Sequence, residues 1–422
     1  MARHPKHGRP ESSCINKLVL VVTDSCNLRC LYCYARLSPY ASVARRMTPD
    51  TARLVIRRFL RGRDRCELIQ FFGGEPTLNL DAVQAAVEET LDLVRSGALQ
   101  KRPRFAVVTN GVVRNPKRFL DLITRYGMET TVSLDGPAFL HDQLRPYANA
   151  APSYDHAVGT VSALVQAQLP VAIETVYTAR HVQAEFSIVD VFEFCQGLGV
   201  NKIIFDIAYP PAPAELNPLL DPYFERTLAY HHEAVDEWLR ALIAGRRTVP
   251  SVYFRDLLLP LLDGSSAVPL AGSCAAAEAD FAIGPNGDLY ACQLLYGNSA
   301  YRVGNVLSGE YPGISSSLPI GPADYAECTN CFARHWCQPC AALNAACGDV
   351  WQLPKRLCAL RRAVVLQIGR WAFGHLAVPE TEITSILREA VRTRAGDPRI
   401  LDKISSAELQ NTSMESMVDH ER

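Results

Sequence analysis

Strand-like and helix-like segments alternate along the first half of the chain, and this alternation limits the possible folds. From Lys17 to about Asp206, six short apolar runs rich in β-forming residues are each followed by a helical pattern. Such alternation predicts parallel βαβ units with right-handed crossovers. A closed eight-fold barrel needs about 250 residues, so six units in roughly 190 residues predict an α/β fold with a partial (β/α)6 TIM-like barrel.

The predicted strands are short and apolar, as expected when helices cover a parallel sheet. One helix has a clear start, because Thr48 can act as its N-cap and Pro49 occupies its first turn. The strands are expected at 17–22, 68–72, 105–109, 130–134, 171–177 and 202–205. The helices between them are expected at 48–60, 80–94, 116–126, 154–168 and 184–197.

Charge and hydropathy argue against nucleic-acid and membrane partners. The chain has 43 basic and 44 acidic residues, so it has no excess of positive charge for binding nucleic acid. No run approaches the roughly 20 apolar residues of a membrane span, and no secretory signal opens the chain. We therefore expect a cytoplasmic protein.

Fourteen cysteines are many for a cytosolic chain, where clustered thiols usually indicate a metal site or catalysis. Three of them stand alone and are expected to be inert, namely Cys14, Cys66 and Cys195. The others form one tight group near the start of the chain and a second population between residues 274 and 358.

The first group comprises Cys26, Cys30 and Cys33, spaced Cx3Cx2C directly after the first predicted strand. In a parallel barrel this loop lies at the carboxyl-terminal mouth, where active sites are found. Three thiolates without a fourth nearby suit a [4Fe–4S] cluster with one iron open to an amino acid's amino and carboxylate groups. A zinc site or three unrelated thiols is the alternative.

A second motif, Phe72-Gly73-Gly74-Glu75-Pro76, follows the second strand, and with the cysteine loop it resembles the radical S-adenosylmethionine (SAM) superfamily. The resemblance implies a SAM-binding [4Fe–4S] cluster that yields a 5′-deoxyadenosyl radical. It implies that Glu75 accepts a hydrogen bond from the SAM ammonium and that the ring of Tyr32 rests on the adenine. The SAM-binding residues implied are Tyr32, Gly73, Gly74, Glu75, Pro76, Asn110, Ser133 and Asp135.

The later cysteines begin with Cys274-x12-Gly287-x4-Cys292, in which Pro285-Asn286-Gly287 predicts a hairpin turn. Two CxxC pairs follow, Cys328 with Cys331 and Cys337 with Cys340, and such pairs are typical of a zinc ribbon. The whole series, however, resembles the SPASM domain, which implies two auxiliary [4Fe–4S] clusters. This chain departs from that pattern once, because Cys337 and Cys340 are separated by two residues and not three.

The SPASM resemblance also implies a division of the cysteines between the two clusters. The first cluster would take Cys274, Cys292 and Cys340. The second would take Cys328, Cys331, Cys337 and a later cysteine, for which Cys358 is preferred over Cys347. Cys347 would then complete the first cluster. If Cys347 does not bind there, one iron of that cluster would be open.

The domain organisation predicted from these features has five parts. They are an N-terminal tail at 1–16, the barrel at 17–235, a bridge at 236–271, the SPASM domain at 272–371, and a C-terminal helix and tail at 372–422. Only about 16 residues precede the first strand, so we expect no fused leader-binding domain. A precursor peptide would dock on the barrel, on the bridge or through a separate leader-binding protein.

The resemblance favours a peptide maturase that abstracts hydrogen from a ribosomally made peptide and installs a thioether or carbon–carbon cross-link. A flavodoxin or ferredoxin would supply electrons. The alternatives are a sulfatase-type formylglycine-generating maturase, a small-molecule dehydrogenase or epimerase, and a non-enzymatic iron–sulfur module.

One residue discriminates between the first two functions. Sulfatase-maturing relatives carry an Asp after the second SPASM cysteine, thought to act as a base, whereas this chain has Gln293, which cannot titrate. Asp206 or Glu174, each at a strand end, could act as the base in place of that Asp. The segment with His141, Asp142 and Arg145 predicts either a family-like helix start or a solvated face.

Overall fold

The computed structural model describes residues 14–37, 44–200, 202–243, 274–310, 318–319, 321, 324–335, 337 and 339–376. Strands within these ranges form a single nine-stranded sheet. They are β1 Cys14–Thr23, β2 Arg65–Gly73, β3 Arg104–Thr109, β4 Glu129–Ser133, β5 Val171–Tyr177, β6 Ile203–Ile207, β7 Asp280–Ile283, β8 Asp288–Tyr290 and β9 Arg302–Asn305. The order across the sheet is β6-β5-β4-β3-β2-β1-β7-β8-β9.

The strands β1 to β6 lie side by side in chain order and all pair in parallel. This confirms the predicted run of βα units. The helices are α1 Tyr34–Leu37, α2 Pro49–Leu60, α3 Leu80–Arg95, α4 Pro116–Tyr126, α5 Ala138–Leu144, α6 Tyr154–Gln166, α7 Ala179–Gln183, α8 Ile188–Gly197, α9 Phe224–Ile243, α10 Ala341–Ala346 and α11 Lys355–Leu376.

Local sequence signals account for most helix boundaries. The hydroxyl of Thr48 accepts a hydrogen bond from the backbone N–H of Thr51, so α2 begins as predicted. The predicted helix at 184–197 is wrong in its first part, because α7 ends at Gln183 and α8 begins only at Ile188. Glu185 adopts a left-handed φ of 53°, which ends the first turn, and Ser187 then caps α8 through a capping box.

The predicted hairpin is present, but its position was not foreseen. β7 and β8 are antiparallel around the Pro285–Gly287 turn, while β7 also pairs in parallel with β1, with Leu18 opposite Phe281. The cysteine-rich region therefore continues the sheet of the barrel. The rings of Phe281 and Phe59, from β7 and α2, meet edge to face with centroids 5.6 Å apart in the shared core.

Helix α9 runs without interruption across the predicted boundary between residues 235 and 236. It packs against α11, where the side chain of Gln367 donates to the Asp236 carboxylate at 2.6 Å. No helix of the described ranges is long and apolar enough to cross a membrane. The N-terminal segment 1–13, most of the predicted bridge and the predicted helix at 382–394 lie outside the described residues.

The shared core predicts that the barrel and the cysteine-rich region unfold together. Phe281→Ala removes a ring that is only 2% exposed and should lower the free energy of unfolding by about 3–5 kcal/mol. Phe139→Ala removes a ring that is 53% exposed and should change it by about 0.5 kcal/mol or less. Urea unfolding followed by circular dichroism checks both. An unchanged unfolding midpoint for the barrel in Phe281→Ala would contradict the prediction.

Candidate active site at the carboxyl ends of the strands

The loop that carries the first three cysteines leaves β1 and is held by backbone contacts from a distant segment. The N–H groups of Arg29 and Leu31 donate to the carbonyls of Pro146 at 2.7 Å and Leu144 at 2.9 Å. These contacts fix the middle of the loop against the end of α5. The three cysteines are therefore presented by an ordered loop.

The thiols of Cys26, Cys30 and Cys33 lie close enough to interact electrostatically. Burial raises the pKa of Cys26 to about 11 and that of Cys30 to about 12, and neighbouring thiols add to the rise. The Cys26 sulfur accepts from the side-chain amide of Asn110 at 3.6 Å and from the N–H of Leu28 at 3.4 Å. Thiolates in this loop need a nearby cation, which a cluster of iron ions would supply.

The glycine motif lies directly against the cysteine loop. Gly74 N–H donates to the Thr23 carbonyl and Glu75 N–H to the Ser25 carbonyl, each at 2.8 Å. A Cβ on Gly73 would lie 2.3 Å from the Thr23 oxygen, and one on Gly74 would lie 2.4 Å from the Ser25 oxygen. Only glycine permits this approach of the two backbones. Pro76, which is also buried, then begins a short 3₁₀ helix.

Protein groups surround the Glu75 side chain. Its carboxylate is fully buried and accepts from the Thr109 hydroxyl at 2.8 Å and from the N–H groups of Asn110 at 2.7 Å and Thr77 at 3.0 Å. Burial raises the pKa of Glu75, while these hydrogen bonds favour its ionised form. Glu75 therefore braces the ends of β2 and β3, and the implied contact with the SAM ammonium stays a prediction.

Asp135 is likewise buried and satisfied by protein groups. Arg145 binds it bidentately, with Nε–Oδ2 at 2.8 Å and Nη2–Oδ1 at 3.1 Å. The Tyr32 hydroxyl donates to the same carboxylate, and the Arg145 guanidinium lies 5.2 Å from the Tyr32 ring centroid. Burial opposes ionisation of Asp135, but Arg145 outweighs it and the pKa is lowered. The pair therefore fixes the Tyr32 ring between two cysteines.

A second layer of buried polar groups holds this ion pair. His181 Nε2 lies 2.7 Å from the Asp135 carbonyl, His141 Nε2 lies 3.1 Å from the Ser153 hydroxyl, and that hydroxyl donates to the Arg145 carbonyl at 2.6 Å. The 141–145 segment is therefore not a solvated face. Ser133, the last residue of β4, is buried beside this network.

The later cysteines fall into two sets by the electrostatic interactions between their thiols. Electrostatic interactions link Cys274, Cys292 and Cys340 in the first set. The second set comprises Cys328, Cys331, Cys337 and Cys358. Cys347 is exposed at the end of α10. Cys358 interacts electrostatically with Cys331 and Cys337, and its role as a ligand of the second cluster stays a prediction.

The donor chemistry of these sets suits iron–sulfur clusters, because thiolates are the ligands that such clusters use. Four thiolates can also bind one zinc ion, so metal content distinguishes the two alternatives.

Two tyrosines connect the first cysteine loop to the first auxiliary set. Tyr34, beside Cys33, interacts electrostatically with Cys292, and Tyr209 interacts with Cys292 and Cys340. Burial raises the pKa of both hydroxyls well above its usual value. The sequence did not point to either tyrosine, because each is a lone aromatic residue without a motif.

Comparison with known proteins agrees with this geometry. Residues 20–195 match the model of the radical SAM superfamily. The chain is also 31% identical over 193 residues to an uncharacterized protein of Methanocaldococcus jannaschii, a match that covers 46% of this chain and 63% of that relative. The barrel segment is thus similar to the radical SAM superfamily. This superfamily uses a [4Fe–4S] cluster and SAM.

Radical SAM similarity extends beyond the barrel. The chain is 23% identical over 378 residues to the radical SAM cyclopropyl synthase TigE of Paramaledivibacter caminithermalis, covering 84% of this chain and 74% of that one. A solved structure of anSMEcpe with bound AdoMet and the Cp18Cys peptide superposes with a TM-score of 0.67 at 18% identity. That match covers 85% of this chain and 98% of the other. The shared fold thus includes the cysteine-rich region, which confirms the predicted partial barrel followed by a SPASM domain.

The ion pair beside Tyr32 predicts a large loss of stability on substitution. Arg145→Met leaves the Asp135 charge buried without its partner and should cost about 3–5 kcal/mol at pH 7. The pKa of Asp135 should rise in the variant, so the deficit should shrink as the pH falls towards 5. Arg118→Met removes an exposed partner of Asp81 and should cost about 1 kcal/mol or less. Urea unfolding at both pH values measures this, and equal losses in the two variants would contradict it.

The three cysteine sets predict the metal content. Anaerobically reconstituted protein should contain about twelve irons, four for each of three [4Fe–4S] clusters. Replacement of Cys26, Cys30 and Cys33 by Ala should leave about eight and abolish cleavage of SAM to 5′-deoxyadenosine. Elemental analysis and chromatography check both results. Stoichiometric zinc with only four irons would support the zinc-ribbon alternative.

Proposed function

We propose that this protein is a radical SAM maturase that abstracts hydrogen from a peptide and installs a thioether or carbon–carbon cross-link. The observation that carries the proposal is that Tyr34, beside Cys33, and Tyr209 both interact electrostatically with Cys292 of the auxiliary set. A substrate bound there would lie between the radical source and an auxiliary cluster.

The bound groups would supply the radical chemistry, and the protein would orient the reactants and exclude water. Together with SAM, a [4Fe–4S] cluster at the first three cysteines supplies the 5′-deoxyadenosyl radical. Tyr32, fixed by Asp135 and Arg145, orients the adenine. The buried walls exclude water from the reacting carbon.

Two likenesses support a peptide substrate and bond formation. The solved structure of similar fold holds both AdoMet and a peptide. The TigE relative is named a cyclopropyl synthase, which is an enzyme that forms a ring bond. A separate leader-binding protein and a flavodoxin or ferredoxin belong to the same proposal.

Sulfatase-type maturation is the second candidate, and Gln293 argues against it. Oxidation of a hydroxyl or thiol to an aldehyde needs a base beside that group. Gln293 follows Cys292 at the start of a short 3₁₀ helix, and its amide has no carboxylate to accept a proton. Cross-linking can proceed without a base at this position.

Co-expression with a candidate precursor peptide tests the proposed function. We expect each modification to remove about two hydrogens from the peptide and to resist thiol alkylation or to localise to an aromatic ring. Mass spectrometry of the isolated peptide measures this, and the variant lacking Cys26, Cys30 and Cys33 is the matched negative control. Conversion of a sulfatase-motif peptide to its aldehyde would instead establish the second candidate.

A further inference from the structure

The inner face of β5 and β6 carries two carboxylates that the mechanism above does not use. In the parallel register Glu174 pairs with Ile204, and Val176 pairs with Asp206, so both acidic side chains point to the same face. The alternate residue Thr175 is fully buried under the helices, whereas Glu174 is half-buried and Asp206 is exposed. The two carboxylates therefore line the open interior of the barrel.

These carboxylates differ from the others at this end of the sheet. Glu75 accepts three hydrogen bonds, and Asp135 is bound by Arg145. Asp24 pairs with a guanidinium at 2.9 Å and accepts from a tyrosine hydroxyl at 2.7 Å. Within the described ranges, the side chains of Glu174 and Asp206 accept no hydrogen bond and form no ion pair. Arg145 interacts electrostatically with Glu174 and Arg361 with Asp206, so in this part of the chain each carboxylate faces a cation without being bonded to it.

Glu174 and Asp206 reach the space between the two cysteine sites. Glu174 interacts electrostatically with Tyr34, which neighbours Cys33 in the chain. Asp206 interacts with Tyr209, which also interacts with Cys292 of the auxiliary set. This is the space in which the proposed function places the peptide.

The surroundings of Glu174 also suit proton exchange near neutral pH. Burial raises the pKa of Glu174 to about 7; Asp206 and Asp135 add to the rise, and Arg145 opposes it. Tyr34 faces the same carboxyl. Asp206 is exposed to the barrel interior, but it is surrounded by protein that displaces bulk water, so its pKa is raised as well.

We infer that Glu174, with Asp206 beside it, is the group that accepts the proton the peptide loses when its new bond closes. This inference rests on the proposed function. Removal of one hydrogen atom leaves a carbon radical, and its bonding to a second peptide group breaks an X–H bond and releases one proton and one electron. The proton goes to Glu174, and the electron goes to an oxidised iron–sulfur cluster at the auxiliary cysteines.

Gln293, which follows Cys292 of the auxiliary set, cannot be this proton acceptor, because its amide cannot take a proton. Its side-chain oxygen is buried and has no hydrogen-bond partner within the described part of the chain. A proton acceptor must therefore come from another element, and Glu174 is the carboxylate whose pKa matches the task.

Two measurements on the reconstituted full-length enzyme test the inference. With a co-expressed or added precursor peptide, Glu174→Gln should lower product formation at pH 7 by at least about 100-fold. The wild-type rate should rise about tenfold per pH unit below 7 and level off above it. Glu193→Gln replaces an exposed acid on the neighbouring helix α8 and should behave as wild type. Glu174→Asp should restore part of the activity.

A second measurement, which needs no peptide, also tests the inference. Infrared difference spectra should show one carboxyl that titrates near pH 7, is absent in Glu174→Gln and titrates lower in Asp206→Asn. Titration of Glu174 near its ordinary value of about 4.3 would overturn the inference. So would wild-type product formation by Glu174→Gln. If the wild-type enzyme cleaves SAM but modifies no peptide, the proposed function fails first, and this inference fails with it.

Discussion

The pairing of β1 on both of its edges is the constraint on which the rest of the site depends. β1 pairs with β2 on one side and with β7 on the other, both in parallel. The first edge brings the glycine motif against the cysteine loop, and the second joins the β7–β8 hairpin, which lies between Cys274 and Cys292 in the chain, to the same strand. One strand therefore sets the relation between the radical site and the auxiliary sites. A linker between independent domains would leave that relation variable.

Buried charge fixes the loops around that strand. The Glu75 carboxylate joins the ends of β2 and β3, and Asp135 with Arg145 joins the end of β4 to α5 and to Tyr32. Buried ions are costly unless fully paired, so each network has one well-satisfied geometry. This explains why acidic residues that the resemblance placed on SAM are found inside the loops. They position the backbone and the Tyr32 ring that would meet the cofactor.

Much of the fold and of the cysteine chemistry could be predicted from the sequence, because both depend on local patterns. Strand order follows from alternation and handedness, and the helix at 116–126 is predicted to the residue. The pairing of β7 with β1 could not be predicted, since it joins segments more than 250 residues apart without a motif. The break at Glu185 was missed because a left-handed φ at a non-glycine residue leaves little trace in sequence. Tyr34 and Tyr209 gain meaning only from their neighbours in space.

Some carboxylates around the site are bound by protein groups and others are not, and this difference indicates what can bind there. Near the first cysteine loop, Asp24, Glu75 and Asp135 are each matched by donors or a guanidinium, so that region needs no charge from a ligand. Across the space, Glu174 and Asp206 share a poorly solvated wall, where two adjacent negative charges are unfavourable. The repulsion between the two carboxylates falls when the pair gains one proton. The proton transfer to Glu174 that we propose would reduce the repulsion between these two carboxylates.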